Sequence, residues 1–359
     1  MSKKTIIIMI VLLVLILVAA LCLRYFLAKP LYNPGDVGSG KNLRSPLTPP
    51  TQNADSTFWR VADDIEIYHF SVGTGRKVLV IHGGPGTPFT EPLIALAPLT
   101  KSFEFVYYHQ RGCGQSTRPF DGFTSANYFD NMYQLENTLG IGAQLADIER
   151  IRQILGENQL ILLGHSFGGF LAALYAAEFP EKVAGLILVA PANLLVLPAD
   201  NGDLFEIVKQ RLPESVALEF SDFQKRYFDF KNIFKKSEAD LIRLNQQFVK
   251  YYLMASPEPE QKRQMQDRGE VGGGWMAFAT YFSLGKKHDY RSVLSAVNTP
   301  PVLVIHGKND LQPIAASKTY VEAFPDASFQ LIEKAGHFPF HEQPEQFTSI
   351  VREYLMNLK

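Results

Sequence analysis

Four apolar residues, Leu160-Ile161-Leu162-Leu163, run into Gly164-His165-Ser166-Phe167-Gly168, and the small-residue stretch GGFLAALYAAEF continues the chain. A short apolar run followed by a glycine-fenced turn and a helical stretch predicts a buried strand, a sharp bend and a helix, with Ser166 at the bend. G-x-S-x-G in this setting is the context of a nucleophile elbow. Larger flanking side chains would collide in so tight a turn, hence Gly164 and Gly168. At a helix N-terminus, free amides and the helix dipole favour a developing negative charge. A glycine-rich phosphate or cofactor turn is the competing reading.

The surrounding pattern agrees with a buried parallel sheet. KVLVIHGGPG, FEFVYYHQRG, GLILVAPA and VLVIHGKND are further apolar runs that end in polar or glycine clusters. Continuous apolar runs suit strands covered on both faces. Helical stretches such as NTLGIGAQLADIERIRQILG lie between them, so the expected class is α/β with a mostly parallel sheet and helices on both faces. FWRVADDIEIYHFSVG reads as an edge hairpin. Residues 194–290 break the alternation with long amphipathic stretches and no clear buried strand. They are expected to form a helical cap over the carboxyl edge of the sheet, with helices packed at its side as the alternative. The core is then divided into residues 57–193 and 291–359.

The N-terminus is different in kind. Residues 6–23, IIIMIVLLVLILVAALCL, carry no charge. Eighteen residues at about 1.5 Å each span roughly 27 Å, close to a bilayer's hydrocarbon thickness. Residues 1–29 are therefore expected to be a transmembrane signal anchor, and a cleaved signal peptide, whose apolar core is shorter, is the alternative. Lys3 and Lys4 favour a cytoplasmic N-terminus and an exported body, although Arg24, Lys29, Lys41 and Arg44 weaken the bias. Residues 30–56 are rich in Pro, Gly, Ser and Asn and are expected to be a flexible linker. The 35 Lys and Arg against 36 Asp and Glu leave a net charge of −1, which speaks against nucleic acid as a partner. Two cysteines, Cys22 and Cys113, make a disulfide framework improbable.

A serine hydroxyl needs a base, and the base an orienting carboxylate. His337, after the apparent strand SFQLIEK, is the candidate base, with His341 as competitor. Asp310, after VLVIHG, is the candidate acid. Asp326 precedes a strand and so falls at the wrong edge. His306 reads as a structural, hydrogen-bonded histidine. The order Ser166, Asp310, His337 is the one expected of this architecture. The Phe167 amide and an amide from HGGPG at 82–86, chosen as Gly84, are the candidate oxyanion donors. Such chemistry calls for no metal and no cofactor.

Together these residues resemble the α/β-hydrolase superfamily over about residues 58–355. HGGPG, QRGCGQS at 110–116 and GHSFGG at 164–169 resemble the proline iminopeptidase family. The resemblance implies an acyl-enzyme on the serine, a cap closing over the substrate, and cap carboxylates that hold the substrate's free ammonium near a Trp-rich segment. The corresponding stretch here is GEVGGGWMAFATYFSLG, which makes Glu270 and Trp275 the substrate-binding candidates. Glu214, Glu219 and Asp222 are other cap acids. The family's Asp-Gln-Arg-Gly is replaced by His109-Gln110-Arg111-Gly112, which removes an expected ion-pair partner for Arg111. The expected activity is that of a membrane-tethered serine hydrolase of the aminopeptidase type acting on a small molecule or short peptide. A carboxylesterase or lipase and a catalytically silent binding protein are the alternatives.

Overall fold

The computed structural model describes residues 3–41, 43–53, 56–200, 202–256, 272–296 and 300–358. Ten strands occur among them: β1 (Phe58–Ala62), β2 (Ile65–Gly73), β3 (Arg76–Ile81), β4 (Phe103–Tyr108), β5 (Leu160–His165), β6 (Val183–Val189), β7 (Val196–Leu197), β8 (His288–Asp289), β9 (Val302–Gly307) and β10 (Ala327–Ile332). The helices are α1 (Lys3–Ala28), α2 (Tyr128–Leu139), α3 (Ile141–Ile154), α4 (Phe167–Glu178), α5 (Leu204–Arg211), α6 (Glu214–Tyr227), α7 (Glu238–Ala255), α8 (Trp275–Leu284), α9 (Arg291–Ala296), α10 (Ile314–Ala323), α11 (Pro339–Glu342) and α12 (Pro344–Asn357).

Eight strands form one sheet in the order β1-β2-β4-β3-β5-β6-β9-β10. β1 and β2 make the antiparallel edge hairpin, β2 runs antiparallel to β4, and every later pairing is parallel. The strands are apolar throughout because both faces are covered. Ile161 and Leu163 of β5 point into one core with Leu96, Phe347 and Val351, while Leu160 and Leu162 point into the other with Ile148, Phe170 and Leu174. The chain leaves β3 toward β4 on one side and later returns to β5 on the other. The carboxyl ends of β3 and β5 thus flank the switch point where open parallel sheets hold their ligands.

The insertion has its own core. Phe205, Phe220, Phe223, Tyr251, Trp275 and Phe278 pack together with Leu135 and Leu139 of α2. Its entry and exit are tied by a two-stranded ladder, Val196↔Asp289 and Leu197↔His288, that the sequence pattern did not indicate. Two residues per strand carry too little pattern to read. The insertion lies over the carboxyl edge: the Gly273 amide donates to the Gly86 carbonyl at 2.9 Å, and the Tyr252 ring centroid is 6.4 Å from that of His337.

One expectation about the N-terminal region needs correction. The segment read as a flexible linker is docked along its described length. Tyr32 and Val37 are buried, and the Glu178 carboxylate at the end of α4 accepts from the Tyr32 hydroxyl and the Gly35 and Gly38 amides, each at 2.8 Å. Arg150 donates to the Ser45 and Pro46 carbonyls, and the Gln52 side chain pairs with both backbone groups of Arg60. Composition missed this because the segment is held by polar groups of the body, with few apolar residues of its own. No helix among the described residues is long and apolar enough to cross a membrane. α1 is 26 residues long, but the side chains of 19–27 lie outside the described set.

Glu178→Ala leaves three donors of the docked segment without their carboxylate. It is expected to cost about 2–3 kcal/mol. The check is urea unfolding with limited proteolysis, in which cleavage between residues 30 and 53 should appear in the variant well before the body is cut.

Candidate active site

The bend after β5 is built by backbone proximity. A Cβ on Gly164 would lie 2.3 Å from the Gly168 carbonyl oxygen, and one on Gly168 would lie 2.1 Å from that of Ile81. Neither position admits a side chain. Ser166, at the N-cap of α4, has φ 55° and ψ −118°, a strained conformation for a non-glycine residue that costs on the order of 1–3 kcal/mol. The surroundings hold it there. The Ser166 amide donates to the Val189 carbonyl at 2.9 Å, and the Ser166 carbonyl accepts from the amides of Gly169, Phe170 and Ala192.

The loop after β3 lies against this bend. A Cβ on Gly83 would be 2.8 Å from the Ser166 Cβ, and Gly84 has φ +119°. His82 fixes the loop. Its Nδ1 donates to the Gly83 carbonyl at 2.9 Å, its Nε2 accepts from the Gln110 amide at 3.0 Å, and its carbonyl accepts from the Gln110 side chain at 2.8 Å. The Phe167 amide opens the first turn of α4, where backbone donors have no intrahelical acceptor. Both candidate oxyanion donors, Gly84 and Phe167, therefore belong to segments that meet at Ser166.

Asp310 and His337 come together from the ends of β9 and β10. His337 Nδ1 donates to Asp310 Oδ2 at 2.8 Å, and Asp310 Oδ1 accepts from the Gln312 amide at 3.0 Å. The Asp310 carboxylate is fully buried. Burial alone would lower the pKa of His337; the charge and hydrogen bond of Asp310, aided by Glu342, override it and raise the pKa above 6.5. With Nδ1 donating to Asp310, Nε2 of neutral His337 is the free acceptor. Asp326 sits at the opposite edge, where its carbonyl accepts from the Val302 amide beneath β9. His306 is fully buried, with Nδ1 2.8 Å from the Ser317 hydroxyl. His341 lies in α11, one turn past His337.

His165 received no role from the sequence, yet its Nε2 donates to the His337 carbonyl at 2.8 Å, and the two rings are 4.8 Å apart. Its position inside G-x-S-x-G was the available signal. His109 is likewise spent on structure, its Nε2 donating to the Phe89 carbonyl and its Nδ1 accepting from the Gln115 amide. Arg111 takes Asp147 of α3 in place of the absent aspartate, through a two-pronged ion pair.

The substrate-binding candidates fare differently. Glu270 lies outside the described residues. Trp275 is fully buried in the cap, its indole N–H donating to the Asp121 carbonyl at 3.2 Å, between Phe123 and Phe234. It has no face left for a ligand, so the expectation for Trp275 is corrected to cap packing. An acid does lie beside it. Glu238 accepts from the Gly274 and Trp275 amides at 3.0 and 2.6 Å and from Arg118 at 2.6 Å, capping α8 and pinning cap to core. Among the described residues no His, Cys, Asp and Glu cluster is arranged to hold a metal.

A strained serine between two glycine-rich loops, with an Asp-oriented imidazole on the same sheet edge, is an arrangement suited to nucleophilic attack on a carbonyl. Comparison with known proteins points the same way. Residues 77–344 match the family described as alpha/beta hydrolase fold. The proline iminopeptidase of Heyndrickxia coagulans is 26% identical over 289 residues, covering 80% of this chain and 92% of the relative. That of Saccharolobus solfataricus is 27% identical over 293 residues, covering 79% and 86%. Among solved structures, the proline iminopeptidase of Mycobacterium smegmatis superposes with a TM-score of 0.57 at 18% identity, covering 82% of this chain and 95% of that one. The esterase EaEST of Exiguobacterium antarcticum gives 0.57 at 20% identity, covering 82% and 96%. The sheet order, the elbow and the family match together make this chain a member of the alpha/beta hydrolase fold family, and a hydrolase of the serine type.

Proposed function

We propose that the protein cleaves an amide or ester through an acyl-enzyme on Ser166, with substrates of the proline iminopeptidase type. The observation that carries this is the Asp310–His337 pair, delivered by the ends of β9 and β10 to the sheet edge that carries Ser166. In the proposed cycle His337 Nε2 takes the Ser166 proton as Oγ attacks the scissile carbonyl, and Asp310 stabilises the resulting imidazolium. The Gly84 and Phe167 amides hold the oxyanion, each worth about 3–4 kcal/mol in comparable sites. His337 then protonates the leaving group, and water repeats the sequence to release the acyl product. HGGPG and the proline iminopeptidase relatives support the choice of substrate class.

One observation favours an ester as the second reading. An aminopeptidase must meet a desolvated ammonium with a free carboxylate. The described cap acids are committed elsewhere or solvated: Glu238 to Arg118 and two amides, Glu219 to the Tyr251 hydroxyl, Asp240 to Ser237 and Arg243, Asp222 to Lys225 at the surface. Parallel assay against a prolyl p-nitroanilide and p-nitrophenyl acyl esters separates the two. Amide turnover that falls about 10⁴-fold or more in Ser166→Ala is the expected result. Ester turnover alone selects the second reading, and turnover of neither contradicts the proposal.

The titration of His337 gives a second check. Neutral imidazole is the active form, so kcat/KM should rise with pH through an acid limb whose midpoint lies above 6.5. In Asp310→Asn the raising charge is gone while burial remains. The midpoint should move down, with a rate loss of roughly 10⁴-fold.

We further propose that α1 tethers the body to a membrane, with Lys3 and Lys4 on the cytoplasmic side and the body exported. The support is the uncharged run 6–23 together with a continuous helix over Lys3–Ala28, whose described residues Ile8–Val18 are all about half exposed or more. The full chain should stay with membranes through alkaline carbonate extraction, and a chain lacking residues 1–29 should not. Release of the full chain by carbonate contradicts the tether.

A further inference from the structure

Away from the site, between the docked N-terminal segment and the base of the QRGCG loop, lies a buried excess of positive charge. Arg111, Asp147 and Arg150 are 3%, 1% and 2% exposed. Asp147 accepts from both guanidinium groups. Two buried cations thus share one buried anion, which leaves one positive charge uncompensated in a low-dielectric setting. Arg111 uses three of its five N–H donors, two on Asp147 and one on the Thr138 carbonyl. Arg150 likewise uses three, on Asp147 and the Pro46 and Ser45 carbonyls.

The other charged groups nearby do not balance this excess. Glu149 is bonded to Arg152, and Arg44 is paired at the surface with Asp64. The carboxyl of Glu136, on α2, is pushed up to about 8 by burial, which favours its neutral form. Tyr108, in the field of Asp147, is pushed well above its ordinary range by burial and is neutral too. Its hydroxyl is buried without a hydrogen-bond partner.

A recess of about 10 Å³ opens at this point, lined by Leu43, Arg44, Ser45, Arg111, Asn137, Ala143, Ala146 and Arg150. That is room for one water-sized occupant. The lining residues include three arginines, a serine and an asparagine, and no acid. Arg44 and Ser45 come from the docked segment, Arg111 from the loop after β4, Asn137 from α2 and Arg150 from α3.

We infer that this recess binds one small monovalent anion, chloride by size, which neutralises the Arg111–Asp147–Arg150 cluster and bridges the N-terminal segment to the core. A neutral water fills the same volume but leaves the charge. A phosphate or sulfate does not fit. The site shares no residue with the proposed hydrolytic machinery, so it stands or falls independently of that reading.

The test is the thermal unfolding midpoint of the full chain as chloride replaces gluconate at constant ionic strength. Raising chloride from 1 to 100 mM should lift the midpoint by roughly 3 °C for a site of millimolar affinity. Arg44→Gln removes a half-exposed side chain without touching the buried cluster, and should flatten the chloride dependence whatever its effect on basal stability. In bromide-soaked crystals an anomalous peak should appear between Arg111 and Arg150. Equal midpoints in the two salts, a dependence undiminished in Arg44→Gln, or bromide absent from the recess would each overturn the inference.

Discussion

Everything catalytic in this molecule hangs on the closeness of β3 to the turn after β5. With a Cβ at Gly168 only 2.1 Å from the Ile81 carbonyl oxygen, the two segments are nearer than side chains allow. Beside that contact the backbone at Ser166 takes a positive φ, and Gly83 of HGGPG lies against the serine. The hydroxyl and the amides of Gly84 and Phe167 are thereby set by main-chain geometry, which is the stiffest part of the fold. The imidazole arrives separately, from the far side of the sheet, and is oriented by Asp310. His165 links the two halves, since it belongs to the elbow and holds the His337 carbonyl.

The cap adds a second layer of constraint. Glu238 is bonded at once to Arg118 of the core and to the first amides of α8, while Gly273 donates to Gly86 of the HGGPG loop. The cap is therefore fastened to the same loops that shape the serine's surroundings. Its aromatic residues serve mainly one another: Trp275, Phe278 and Phe223 are fully buried. The carboxylates that remain described around it are largely engaged, which bears directly on the charge of the substrate it can admit.

The parts of the fold that were legible in the sequence are those whose physics is local. Apolar runs ending in glycine located β3, β5 and β9, and the elbow announced itself because two glycines are required within five residues. Asp310 and His337 could be named because the chemistry demands an acid and a base after late strands, and the structure pairs them. What was not legible depends on contacts far apart in sequence. Glu178 of α4 organises residues 32–38, some 140 positions away, through amides and a tyrosine hydroxyl that have no periodicity. Arg111 finds Asp147, which looks like any acid on an amphipathic helix. Trp275 looked available because helical spacing shows that a stripe is buried and not against what.

The central claim is that the backbone around Ser166 and the Asp310–His337 pair make one hydroxyl far more reactive than any other in the chain. The most direct measurement is intact-mass analysis and peptide mapping after brief exposure to a fluorophosphonate. A single adduct on the peptide that contains Ser166, absent from folded Ser166→Ala, is the predicted result. An adduct of the same stoichiometry in that variant, or one mapped to a different residue, would contradict the account.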